Sequence, residues 1–213
     1  MSIVVYMKKA LFNKLQKDKL IKSNKVLQAF QAIPREMFVL KGSIAEAYYD
    51  VALSIGYRQT ISQPTTVLIM VDALELKKTD KVLEVGAGSG YEAAILSQLS
   101  DQVYSVEIVP ELVAFAKNNL MKAKIKNVEV IQWDGGLGYE KKAPYDKIIV
   151  SAACDNIPKA LINQLVEGGI LVAPVGSGYT QKMIKGIKHN KELEETDLGD
   201  YIFVPLTGEF GRS

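Results

Sequence analysis

Three glycines at alternate positions, Gly86, Gly88 and Gly90, follow a short apolar run and precede a helix-like stretch beginning Tyr91-Glu92-Ala93-Ala94. Glycines in that setting take left-handed torsions and bring bare backbone against a ligand, while the helix start, with Ser89 beside it, offers unpaired N–H groups. A dinucleotide turn needs a further glycine where Tyr91 stands. A triphosphate loop needs Lys and then Ser or Thr, and Tyr91-Glu92 supplies neither. The turn suits a ligand without a pyrophosphate. Glu107 lies 21 residues beyond Gly86 at the end of the next apolar run, where a carboxylate accepts from both ribose hydroxyls. Asp134, followed by Gly135, ends a third such run; its carboxylate suits an adenine amino group, with an Asx turn as the plain alternative. All three sites fall at carboxyl ends of successive strands, where an open α/β sheet places its ligand crevice, and together they describe an adenosine site. Glu84, inside the first run, reads as an organiser of the glycine turn through backbone N–H groups.

A second polar cluster precedes this turn. Residues Gly56 to Pro64 form a shaped loop that carries the hydroxyls of Thr60 and Ser62. Such hydroxyls either cap the helix that follows Pro64 or hold a reacting group by hydrogen bonds. His189 is the only histidine and Cys154 the only cysteine. An intramolecular disulfide, a Cys/His zinc site and most histidine-based mechanisms are thereby excluded, and no metal site is expected.

The elements that must position these residues follow from periodicity. Met7, Leu11 and Leu15 recur at helical spacing, as do Val26, Leu27, Phe30 and Ile33 after an N-cap at Ser23-Asn24; Pro34 ends that second helix. Residues 41–64 show no sustained period and read as irregular structure before a helix over about Thr65–Leu76. Short β-branched runs at Val82–Val85, Val103–Ile108, Val128–Ile131 and Lys147–Val150 alternate with helices at Tyr91–Leu99 and Pro110–Met121. A helix over Ile157–Val166, stopped by Gly168-Gly169, leads to a fifth strand at Ile170–Pro174. Gln181–Lys188 and Tyr201–Val204 supply two more strands, joined by the charged segment Asn190–Asp200. The fold class is α/β: a doubly wound, mostly parallel seven-stranded sheet with N-terminal helical additions.

Composition agrees. With 213 residues, 48% hydrophobic and 23% charged, the chain is a globular single domain whose core needs no disulfide or metal, folding removing about 70% of its extended surface from water. The net charge of +2 carries no argument for nucleic acid. Residues 1–25 hold seven Lys and one Asp, which the solvated face of an amphipathic helix explains. No apolar run is long enough to span a membrane, the early residues resemble no signal peptide, and a cytoplasmic location is expected.

The glycine turn, Glu107 and Asp134 resemble those of the class I S-adenosylmethionine-dependent methyltransferases. The fuller resemblance is to the protein-L-isoaspartate (D-aspartate) O-methyltransferases, the protein-repair family. It rests on Thr60-Ile61-Ser62-Gln63-Pro64, on Leu83 through Tyr91, on Asp134-Gly135 with Gly138-Tyr139, and on Phe203-Val204-Pro205-Leu206. Weaker matches extend it from about residue 26 to residue 208. Trp133, in place of a usual glycine, and Arg58 depart from the family pattern and bear on adenine packing and peptide selection. The resemblance implies methylation of the α-carboxylate of L-isoaspartyl residues in damaged proteins and peptides. S-adenosyl-L-methionine would be the cofactor and S-adenosyl-L-homocysteine the product. It implies Ser62 and Thr60 at the reacting carboxylate, and Gly86, Gly88, Ser89, Gly90, Glu107, Asp134 and Gly135 at the cofactor. The single domain 1–213 would then carry an N-terminal helical and substrate-loop region over residues 1–64. The oligomeric state is open. A methyltransferase of the same fold acting on a small molecule or tRNA, and a cofactor-binding scaffold, are the competing readings.

Overall fold

The computed structural model describes residues 3–209, so the ends of the 1–213 span lie outside the described residues. Helices α1 (Ile3–Asp18) and α2 (Asn24–Ala32) open the chain and bury Leu11, Leu15, Val26, Leu27 and Phe30, the faces that helical spacing groups together. Ser23 occupies the N-cap of α2 without using its hydroxyl. The side chain of Asp72 instead accepts from the Lys22 and Ser23 N–H groups at 2.8 and 3.0 Å.

The segment expected to be irregular contains a hairpin, β1 (Leu53–Gly56) and β2 (Gln59–Ile61), followed by α3 (Pro64–Ala73). Its two-residue turn is Tyr57-Arg58, both left-handed at φ 53° and 58°. Such a turn normally announces itself as Asn-Gly, and that signal is missing here.

The rest of the chain runs β3 (Lys81–Val85), α4 (Tyr91–Ser97), β4 (Gln102–Glu107), α5 (Pro110–Lys122), β5 (Val128–Gln132), β6 (Tyr145–Val150), α6 (Lys159–Gln164), β7 (Leu165–Val175), β8 (Gln181–His189) and β9 (Glu192–Tyr201). These seven strands form one sheet in the order β5-β4-β3-β6-β7-β8-β9. Neighbours are parallel from β5 to β7 and antiparallel from β7 to β9. Two expected boundaries move. The charged segment read as a connection is the seventh strand itself, and the chain leaves the sheet after Tyr201. Helix α6 ends at Gln164, and Gly168-Gly169 lie in a bulge of β7 between the pairs Leu165–Tyr145 and Ile170–Lys147.

Alternation along β3 divides the core in two. Val82 joins Val103, Ile149 and Val172 beneath the buried residues of α1–α5, while Leu83 and Val85 join Val106, Ile148, Leu171, Leu161 and Leu206 on the other face. Strand β3 lies between β4 and β6, so the path turns outward to β4 and β5 and then returns across β3. That reversal opens a crevice at the carboxyl ends of these strands.

Candidate active site at the carboxyl ends of the strands

The glycine turn is held from three sides. The Gly86 and Ala87 N–H groups donate to the Val106 carbonyl at 2.9 and 3.1 Å, which ties the turn to β4. Asn119 of α5 donates its side-chain N–H to the Ser89 carbonyl at 3.0 Å. Gly86, Gly88 and Gly90 all take positive φ, at 99°, 51° and 83°. At Gly90 an added Cβ would lie 3.2 Å from Leu120 Cγ and 3.3 Å from the Ala116 carbonyl oxygen, so α5 packs where a side chain would stand.

Glu107 closes this arrangement. Its Oε2 accepts from the Gly88 N–H at 2.9 Å and its Oε1 from the Val109 N–H at 3.0 Å. The carboxylate is thus aimed by backbone on both sides, and each oxygen keeps a lone pair for a further donor. Gly135 comes so close to β3 that a Cβ would sit 2.3 Å from Val85 Cγ1. Asp134 heads the turn: Oδ1 accepts from Gly136 N–H at 2.9 Å and Oδ2 from Glu209 N–H at 2.7 Å. This is the Asx-turn arrangement, with the carboxyl-terminal segment added as a second donor.

One cavity gathers most of the residues singled out from sequence. Thr60, Ser62, Gly86, Gly88, Ser89, Glu107 and Gly135 line it, while Gly90 and Asp134 are not among its lining residues. On the other side of Thr60, Ser62 and Val204 lies a groove of about 750 Å³, lined also by Asp50, Gln63, Ile69 and Tyr201–Phe203. The two hydroxyls are therefore on a wall shared by the cavity and the groove. Capping does not occupy them. Asp50 satisfies the start of α3 by accepting from Thr65 N–H at 3.0 Å and Thr65 Oγ1–H at 2.7 Å, while the N-cap residue Gln63 makes no side-chain cap bond.

Sequence reasoning missed two cavity-lining groups, Glu92 and Ser151, which meet through a hydrogen bond from Ser151 Oγ to Glu92 Oε2 at 2.8 Å. An acid in the first turn of a helix reads as a surface charge favouring the helix dipole, and nothing local marks it as buried. Glu84 meets the role expected of it in part: its carboxyl takes the Ser105 hydroxyl on the neighbouring strand and feels the Ala93 N–H just beyond the glycine turn. Burial, with Glu92 and Glu107 nearby, pushes the Glu84 carboxyl well above the usual range. Burial likewise pushes Glu92 up to about 7, against the pull of the Ser151 hydroxyl. Arg35 is the other concealed residue. It is fully buried, donates Nε–H to the Ala47 carbonyl at 2.7 Å and lies over the Tyr91 ring at 4.9 Å.

Residues 6–211 match the family model described as protein-L-isoaspartate(D-aspartate) O-methyltransferase. The chain belongs to that family. A protein-L-isoaspartate O-methyltransferase from Methanoculleus marisnigri is 47% identical over 191 residues, covering 90% of this chain and 87% of that relative. One from Dictyoglomus thermophilum is 47% identical over 195 residues, with 92% and 89% covered. A solved protein-L-isoaspartate O-methyltransferase superposes with a TM-score of 0.87 at 30% identity, spanning 96% of this chain and 67% of that one. A Plasmodium falciparum structure described as such an enzyme in complex with S-adenosyl-L-homocysteine gives 0.81 at 25% identity, with 93% and 97% covered. The seven-stranded sheet is thus this methyltransferase family's fold, and Trp133, a departure from its pattern, packs edge-on against Tyr139 at 5.8 Å.

Proposed function

We propose that this chain methylates the α-carboxylate of L-isoaspartyl residues in damaged proteins and peptides, using S-adenosyl-L-methionine, as the first step of protein repair. The observation that carries the reading is that Thr60 and Ser62 line both the cavity and the neighbouring groove. The cavity suits the cofactor. Left-handed glycines expose backbone, Glu107 offers acceptors for ribose hydroxyls, Gly135 lines the cavity with bare backbone packed on Val85, and Glu92 keeps a buried oxygen, Oε1, without a partner among the described residues. Asp134 supports the adenine end by holding the Gly135 turn and the carboxyl-terminal segment in place. S-adenosyl-L-methionine, when bound, supplies a methyl group activated by a sulfonium and leaves as S-adenosyl-L-homocysteine.

The chain's own task is placement. An isoaspartyl carboxylate is ionised at neutral pH, so no side chain has to remove a proton, and the scarcity of histidine is no obstacle. Ser62, with Thr60 beside it, donates to one carboxylate oxygen from the groove side and leaves the other facing the cavity. Fixing reacting groups in this way is worth up to about 7–11 kcal/mol. The walls Val67, Val85, Val106 and Leu206 keep water from the anion, whose separated charge water would otherwise stabilise. A single-domain organisation over 1–213 and a cytoplasmic location complete the reading. Among the described residues no helix is long and apolar enough to cross a membrane. Matched peptides containing Asp or L-isoaspartate, incubated with labelled S-adenosylmethionine, test the reaction. Alkali-labile label on the isoaspartyl peptide alone is expected, and label on RNA or on neither peptide contradicts the proposal.

A further inference from the structure

We propose that Glu92 is the anionic partner of the α-ammonium group on the methionine portion of S-adenosylmethionine, an inference that rests on the cavity being that molecule's site. Glu92 follows the glycine turn directly and lines the cavity with only 7% of its surface exposed. Its Oε2 accepts from Ser151 Oγ at 2.8 Å, while its Oε1 is buried without a hydrogen-bond partner among the described residues. Leaving a buried carboxylate oxygen unpaired is costly, so the position calls for a donor from the ligand.

Charge and donor type narrow what that ligand group is. The charged side chains lining the cavity are Glu92 and Glu107, with no Lys, Arg or His among the lining residues. Both Glu107 oxygens already take backbone N–H groups and their remaining lone pairs go to ribose hydroxyls, whereas Glu92 Oε1 has no hydrogen-bond partner among the described residues, which makes Glu92 the acceptor left for a cation. S-adenosylmethionine carries two positive centres. The sulfonium has no hydrogen to donate, whereas the ammonium has three. Glu107, at the end of β4, and Ser151, beyond the end of β6, lie on opposite sides of β3. A molecule whose ribose meets Glu107 therefore presents its methionine end toward Ser151 and Glu92.

Titration follows from this placement. The Glu84 carboxyl of β3 is close enough to Glu92 and Glu107 to feel both charges, and the Arg35 guanidinium lies over the neighbouring Tyr91 ring. With burial holding the Glu92 carboxyl near 7, part of the free protein keeps its proton at neutral pH. An arriving ammonium favours the ionised form, so binding releases a proton in that range.

Calorimetry with three ligands tests this: S-adenosylhomocysteine, its desamino analogue, and 5′-methylthioadenosine, which lacks the amino-acid part. Glu92→Gln is expected to weaken S-adenosylhomocysteine about 10- to 100-fold at pH 8 and to leave the other two within about twofold of the unmodified protein. In the unmodified protein near pH 6.5, paired buffers of different ionisation heat should show proton release with S-adenosylhomocysteine and none with methylthioadenosine. That second measurement needs no variant to fold. Equal loss of all three ligands, unaltered S-adenosylhomocysteine binding in the variant, or no difference in proton release overturns the assignment. Failure of the unmodified protein to bind any of the three overturns the cofactor reading itself.

Discussion

At the scale of single residues, Ser62 and Glu107 separate two kinds of contribution. Ser62 carries a hydroxyl relieved of capping duty by Asp50, so Ser62→Ala should lower methyl transfer to isoaspartyl peptides by about 10-fold or more, the worth of a hydrogen bond to a charged group. S-adenosylhomocysteine binding should stay within about twofold; unchanged steady-state methylation across several peptides would remove Ser62 from the site. Glu107, the proposed ribose ligand, is also a brace, since its carboxylate fixes Gly88 and Val109. Glu107→Ala should weaken cofactor binding by about 1–3 kcal/mol, and calorimetry giving the parent affinity with the fold intact would refute that contact. The cavity-lining places of Gly86, Gly88 and Glu107 were legible because these residues follow or end apolar runs, and those of Thr60 and Ser62 through the family resemblance. Glu92 was not: a first-turn glutamate looks the same whether water or a cavity faces it.

At the scale of elements, legibility follows burial. Strands β3, β4 and β6 are covered on both faces and therefore appear as near-continuous apolar runs. With β5 at the other side, strand β9 is one of the two sheet edges. Glu192, Glu194, Glu195 and Asp197 are exposed along it, and a charged edge that resists pairing with another chain reads as a linker. The β1–β2 hairpin was hidden for a different reason, the absence of glycine from its turn. Arg58 sits at φ 58°, where a side chain costs about 1–2 kcal/mol that glycine avoids, less about 0.5–1 kcal/mol of extra entropy that glycine loses on folding. Arg58→Gly should therefore stabilise the protein by about 0.5–1 kcal/mol, raising Tm by about 1–4 °C. A melting temperature that falls would show that the Arg58 side chain contributes a contact larger than the strain.

At the scale of the molecule, the N-terminal helices and the sheet meet at the glycine turn. Arg35 spans the junction, bonded to Ala47 on one side and stacked on Tyr91 on the other; burial lowers its guanidinium to about 10, which still leaves it charged at neutral pH. The fold also buries two carboxyls, Glu84 and Glu92, whose proton affinity is raised above the ordinary 4.5. Above pH 4.5 the unfolded chain sheds protons that the folded chain retains, so stability falls as pH rises, because the slope has the sign of protons bound unfolded minus protons bound folded. The loss accumulates from about pH 4.5 and, for Glu92, is complete above about 7. Glu92→Gln removes that share and relieves Glu84 of a neighbouring charge. In ligand-free urea unfolding at pH 5, 6, 7 and 8, the stability of the variant relative to the parent should rise with pH by about 1–3 kcal/mol across the series. Parallel curves would mean that Glu92 ionises in the fold as it does in water, and that the site gains no strain for a cation to relieve.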